Sequence, residues 1–108
     1  TASAWVPSDP RPAVNNYLVK YRQAFKATPG FNGPPSYDMV HMTAKAFEKA
    51  GSLDSEALRK VVRTMQFDNL VYGKGTLRFN SGGQAELPVS ATVFNAKQKL
   101  RVLAPPPK

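Results

Sequence analysis

A chain of 108 residues, 42% of them hydrophobic and 10% aromatic, is long enough for one domain with a core. Fifteen Lys and Arg against seven Asp and Glu give a net charge of +8, and the lack of cysteine excludes disulfides, thiolate metal sites and thiol nucleophiles. No apolar run reaches the ~18 residues of a membrane span, and the N-terminal TASAWVPSDP has neither the basic start nor the apolar centre of a signal peptide.

Residues 1–12 read as extended and proline-rich, with Pro7, Pro10 and Pro12. Asp9 is expected to cap the first helix, with Pro10 at the first helical position, where its missing N–H costs nothing. Val14, Tyr17, Leu18, Tyr21 and Phe25 then recur at helical spacing on one side. TPGFNGPP interrupts this pattern.

The second helix is expected over SYDMVHMTAKAFEKA, residues 36–50, with Gly51 as a left-handed stop. On a 100° wheel its polar residues, Asp38, His41, Lys45, Glu48 and Lys49, share one narrow sector. Tyr37, Met39, Val40, Met42, Thr43, Ala44, Ala46, Phe47 and Ala50 occupy an apolar arc of roughly 220°, about twice the ~100° that a surface helix buries. A third helix starts at the cap Asp54, with Glu56 in its first turn and Leu58, Val61, Val62 and Met65 as its stripe.

After residue 66 the pattern alternates. VYGKGTLRFN reads as a strand weakened by Gly73 and Gly75, with Leu77 and Phe79 on one face, and SGGQ reads as a turn. PVSATVFNAKQKLRVLAP reads as a hairpin with Val89, Ala91 and Val93 on one face and Leu100 and Val102 returning, before a frayed PPPK. The chain is thus expected to be α+β, three helices followed by three short strands. It has no isoleucine and no four-residue run of Val, Leu or Phe, so within an α/β protein it would not carry the middle of a parallel sheet.

The order and the local motifs resemble one family. PPSYDMVHMTAKAFEKAGSLDSEALRKVV is similar to the late segment of the leucine/isoleucine/valine-type periplasmic solute-binding proteins of ABC transporters, where a YD helix ends at an A-x-E-K-A-G boundary. YGKGTLRFNSGGQAELPVSATVFNAKQKLRV resembles that family's closing G-x-x-x-F strand, N-x-x-G turn and terminal hairpin, and AWVPSDPRPAVNNYLVKYRQAF its extended lead-in and first helix. Gln98 and Lys99 replace the usual Gly-Lys of the hairpin, and His41 is unusual on the YD helix.

The resemblance implies a parent of two α/β lobes (a type I periplasmic binding fold) with ligand in the cleft between them. This chain would be its C-terminal segment: residues 1–87 the helical layer and strand of the first lobe, residues 88–108 a hairpin of the second. The wide apolar arc would then meet a sheet encoded upstream. Ligand contact is implied at Tyr37, Ser36 and Phe31, near the start of the second helix, whose N-terminus favours a carboxylate. Hinge roles are implied at Trp5, Pro7 and Pro88, where strands cross between lobes. The implied partners are a small amino-acid-like or carboxylate solute and an ABC permease, in the periplasm. The fragment alone is expected to bind poorly and to self-associate or form an intertwined dimer.

Other chemistries lack support in the residues. His41 is the only histidine and lies in the polar sector with no second metal ligand, so neither a metal nor a cofactor is expected. Ser52, Ser55 and Ser81 have no histidine at triad spacing, so the chain does not read as an enzyme. Arg59, Lys60 and Arg63 read as a solvated face. The positive charge leaves a small basic nucleic-acid-binding domain as the alternative, but its cations are scattered and no RNP, zinc-finger or bZIP pattern accompanies them.

Overall fold

The computed structural model describes residues 1–98 and 100–104. The elements are β1 (Ala2–Ser3), α1 (Pro12–Phe25), α2 (Gly33–Ala50), α3 (Ser55–Thr64), β2 (Gln66–Phe67), β3 (Leu77–Phe79), β4 (Ala85–Glu86), β5 (Ser90–Asn95) and β6 (Leu100–Leu103). They form three helices and two small antiparallel sheets, ordered β1-β5-β6 and β2-β3-β4. The α+β expectation therefore holds. The PPPK expected to fray, residues 105–108, and Lys99 of the expected hairpin lie outside the described residues.

Helix α1 starts two residues later than expected. Asp9 does not cap it. Its carboxylate instead accepts from the backbone N–H of Arg11 at 3.0 Å and from Arg11 Nε at 2.8 Å. This short-range turn holds Arg11 extended, so Pro12 takes the first helical position. Val14, Tyr17 and Leu18 are buried as the spacing requires and Tyr21 is half-buried, but Phe25, in the last turn beyond the chain's own core, is 66% exposed; Lys26 closes the helix in a left-handed conformation.

Helix α2 starts at Gly33, three residues before the expected start, because Pro34 and Pro35 fit a first turn whose N–H groups have no helical acceptor. Its buried residues are Pro34, Asp38, Met42 and Ala46, a line at four-residue spacing. The face turned to the chain's own core is therefore centred between the polar sector and the apolar arc, and it takes Asp38 inside. Much of the rest of the arc is open, with Met39 58% exposed and Val40 70%, while Tyr37, Phe47 and Ala50 are half-buried. Helix α3 follows its expected boundaries, and Asp54 accepts from the N–H of Ala57 at 3.0 Å.

Two core clusters meet along α2. Trp5, Val14, Tyr17, Leu18 and Val71 make one, with Tyr21, Tyr37 and Tyr72 against it. Met42, Ala46, Phe67 and Leu70 make the other, closed by Leu58, Val62, Met65, Leu77 and Phe79. Leu77 and Phe79 do share a face. The strand expected over 71–80 is real only at 77–79, and β2 and β4 supply flanking strands that the alternation did not show.

The terminal hairpin gains a third strand. β1 pairs with β5 in the register Ala2 to Ala91, so β5 is the central strand. Ser90 and Thr92 face inward, and Thr92 uses its N–H and its hydroxyl on the carbonyl of Thr1, at 2.7 and 2.9 Å. Val89 and Val93 are on the exposed side. The whole is a slab of 50 × 37 × 19 Å with a radius of gyration of 15.8 Å, where a compact chain of this length has about 13 Å.

Candidate functional site

The segment Leu70–Gly75 organises everything near the expected ligand and hinge residues. Val71 and Tyr72 are β-formers by type, yet their backbone groups join no sheet. Asp38 accepts from both N–H groups, Oδ1 from Val71 at 3.0 Å and Oδ2 from Tyr72 at 2.8 Å. Arg11 grips the opposite polarity: Nη1 donates to the carbonyl of Leu70 at 3.0 Å, and Nη2 to those of Val71 and Gly73, both at 3.1 Å. With Nε on Asp9, the guanidinium fork is almost fully used. A side chain on Gly75 would meet Arg11 Nη1 at 2.5 Å, so the fork fits only because that position is glycine.

Aromatic rings surround this clamp. Trp5 meets Tyr17 edge-on with centroids 5.9 Å apart, and Tyr17 lies 4.9 Å from Tyr37. Tyr37 continues to His41 at 4.6 Å, and Phe31 stands edge-on to Tyr72 at 5.8 Å. Burial, reinforced by the nearby Tyr21, Asp38 and Tyr37, pushes the Tyr17 hydroxyl above its ordinary value of 10.0. That hydroxyl is enclosed and has no hydrogen-bond partner among the described residues.

Of the expected ligand residues, Tyr37 is half-buried and lines a groove of about 170 Å³ with His41, Lys45 and Asn69. Phe31 is exposed against Tyr72, and Ser36 has its hydroxyl donating to the carbonyl of Asn32 at 2.8 Å, in an exposed bond. The three share the start of α2 but not one cavity. Among the expected hinge residues, Trp5 is buried, Pro7 half-buried and Pro88 exposed beside a larger open groove of about 420 Å³.

Sequence reasoning did not single out Arg11, and it placed Asp38 in the polar sector of the second helix. The signal for Asp38 was its place on the Pro34, Met42, Ala46 line, where a carboxylate must find donors. For Arg11 no comparable signal exists, because its acceptors are carbonyls about sixty residues away. Among the described residues no group of three or more His, Asp or Glu could hold a metal ion, and no helix is long and apolar enough to cross a membrane.

A family model described as periplasmic binding protein matches residues 1–99. No solved structure matches the chain significantly.

Proposed function

The chain belongs to the periplasmic binding protein family, and from that premise we propose that it serves a protein that closes two lobes on a small amino-acid-like or carboxylate solute and delivers it to an ABC permease. The family's role is solute binding outside the cytoplasm. Capture of this kind makes and breaks no bond, so the chain acts as a binding component and not as an enzyme. Residues 1–87 contribute helices and the small β2-β3-β4 sheet to one lobe. Residues 88–108 contribute the hairpin of the other, to which β1 is also joined.

The observation that carries this reading is the match over residues 1–99 together with the two-sheet architecture, in which the chain leaves the β1-β5-β6 sheet after Ser3 and returns to it between Glu86 and Ser90. Those two passages contain or adjoin Trp5, Pro7 and Pro88, the proposed hinge. Tyr37, Ser36 and Phe31 form the proposed ligand wall at the positive end of the α2 dipole, which suits a carboxylate. The grooves are open and the one at Tyr37 is smaller than the ~300 Å³ at which small-molecule pockets begin, which supports a second wall supplied by residues outside this chain.

Calorimetric titration with amino acids and short carboxylates tests this. The isolated chain is expected to give no tight binding, while a longer product of the same gene, carrying the opposing lobe, binds. In that product Tyr37→Ala weakens binding about tenfold or more, equivalent to ~1.4 kcal/mol. Tight binding by the isolated chain would overturn the fragment reading, and a longer product indifferent to every such solute would overturn the ligand class.

A further inference from the structure

We infer that Gly73 is the seat on which the β1-β5-β6 sheet is carried, a residue against which both connections to that sheet are held. β1 ends at Ser3 and β5 begins at Ser90, so the connections are the segments starting at Ala4 and ending at Val89. The first is tied to Gly73 by a hydrogen bond, Gly73 N–H donating to the carbonyl of Ala4 at 2.7 Å. The second lies against its open side. A Cβ built on Gly73 would stand 2.6 Å from Leu87 Cδ1 and 2.8 Å from the carbonyl oxygen of Pro88. Leucine could swing aside, but the Pro88 oxygen belongs to the backbone and can yield only if the connection moves.

The seat is itself fixed. Gly73 is buried with φ +63°, its carbonyl is held by Arg11, and Arg11 and Asp38 together grip the backbone of Leu70, Val71 and Tyr72. Two short connections bearing on one immobile point form a pivot, in which the connections bend and the seat sets the axis. This deepens the proposed hinge at Trp5, Pro7 and Pro88 and rests on it for the statement that the connections bend. The added content is that the angle between the sheets depends on the absence of a side chain at residue 73.

Because the chain has no cysteine, two can be introduced for spin labels without background. Ser81→Cys in the β3–β4 turn and Lys97→Cys in the β5–β6 turn, both exposed, report the distance between sheets. Lys49→Cys with Ser81→Cys is the reference pair that avoids the connections. Gly73→Ala is compared with Gly51→Ala, which imposes left-handed strain at a similar φ of +62° where an added Cβ meets nothing within 4 Å. The inter-sheet distance is expected to shift in Gly73→Ala beyond the width of the Gly51→Ala distribution, with the reference distance unchanged. Leu87→Ala, which keeps glycine and removes the packing on it, is expected to broaden the inter-sheet distribution and is available should Gly73→Ala not fold. Superimposed inter-sheet distributions for Gly73→Ala and Gly51→Ala, or an unaltered one for Leu87→Ala, would overturn the seat. The hinge fails separately, if the unsubstituted chain gives an inter-sheet distribution as narrow as the reference pair.

Discussion

Replacing Asp38 by alanine should be the most damaging single change in the helical layer. Asp38 is 5% exposed, and each of its carboxylate oxygens accepts one backbone N–H, from Val71 and from Tyr72. Hydrogen bonds to a charged group contribute about 1.5–3 kcal/mol each, and alanine strands the buried Val71 donor and takes the acceptor from the half-buried Tyr72 donor. Losing the pair together should cost about 3–5 kcal/mol, with the two bonds partly sharing one desolvation term. A domain of this size has only ~5–15 kcal/mol in total, and a flat slab belongs at the low end. An asparagine at this position would keep one acceptor and turn an amide N–H₂ toward the other donor, so Asp38→Asn should lose about 2–3 kcal/mol. Urea unfolding followed by circular dichroism measures the loss, with an unchanged m-value showing that the same surface is exposed. Amide exchange should show Val71 and Tyr72 losing protection before the rest of the core. An alanine variant within about 1 kcal/mol of the parent, or one whose Val71 and Tyr72 amides stay protected, would refute the clamp.

Tyr17→Phe should be neutral or stabilising by about 1 kcal/mol, because it keeps the ring contacts and deletes an enclosed hydroxyl with no partner among the described residues. Gly33→Ala puts a Cβ 2.5 Å from that hydroxyl oxygen, so it should destabilise the parent but be tolerated beside Tyr17→Phe, and urea midpoints for the four proteins read the coupling. Alkaline pH should destabilise through the same group. The Tyr17 pKa is raised on folding, so the native state keeps a proton that the unfolded chain releases. Its stabilisation is complete below about pH 10, is lost as pH rises from there through the raised native value, and this slope disappears in Tyr17→Phe melts. The outward side of α2, with Met39 and Val40, should make the isolated chain self-associate, so light scattering should give a mass that rises with concentration and falls back in Val40→Lys; a concentration-independent monomer would contradict this.

Much of the layout was legible because it depends on neighbours in sequence. The Val14, Tyr17 and Leu18 part of the α1 stripe, the Asp54 cap of α3, the Gly51 stop and the Asn80–Gln84 turn between β3 and β4 are all local, and each stands where spacing and residue type put it. The candidate site was less legible. Tyr37, Ser36 and Phe31 are neighbours in sequence around the start of α2 and share no one cavity, and the relation of Tyr37 and Phe31 to Tyr17 and Tyr72 depends on contacts between distant segments.

Helix α2 shows where local information stops. Its periodicity establishes a helix and an apolar arc too wide for one neighbour, and the exposed Met39 and Val40 agree with that. Which side turns inward was decided by two backbone N–H groups more than thirty residues away, which drew Asp38 into the core. The segment after Phe67 makes the same point. Val71 and Tyr72 have the composition of a strand, and alternation alone reads them as one. Arg11 takes the carbonyl of Val71, the N–H of Gly75 takes that of Tyr72, and Asp38 takes both N–H groups, leaving nothing for a ladder to pair with. Sequence alone determined the three helices, the turn after β3 and the terminal hairpin, in that order, since those follow from side chains a few residues apart. Tertiary structure decided which faces meet and where the backbone stops being a strand, because a buried N–H or carbonyl takes whatever partner the fold brings to it, however distant in the chain.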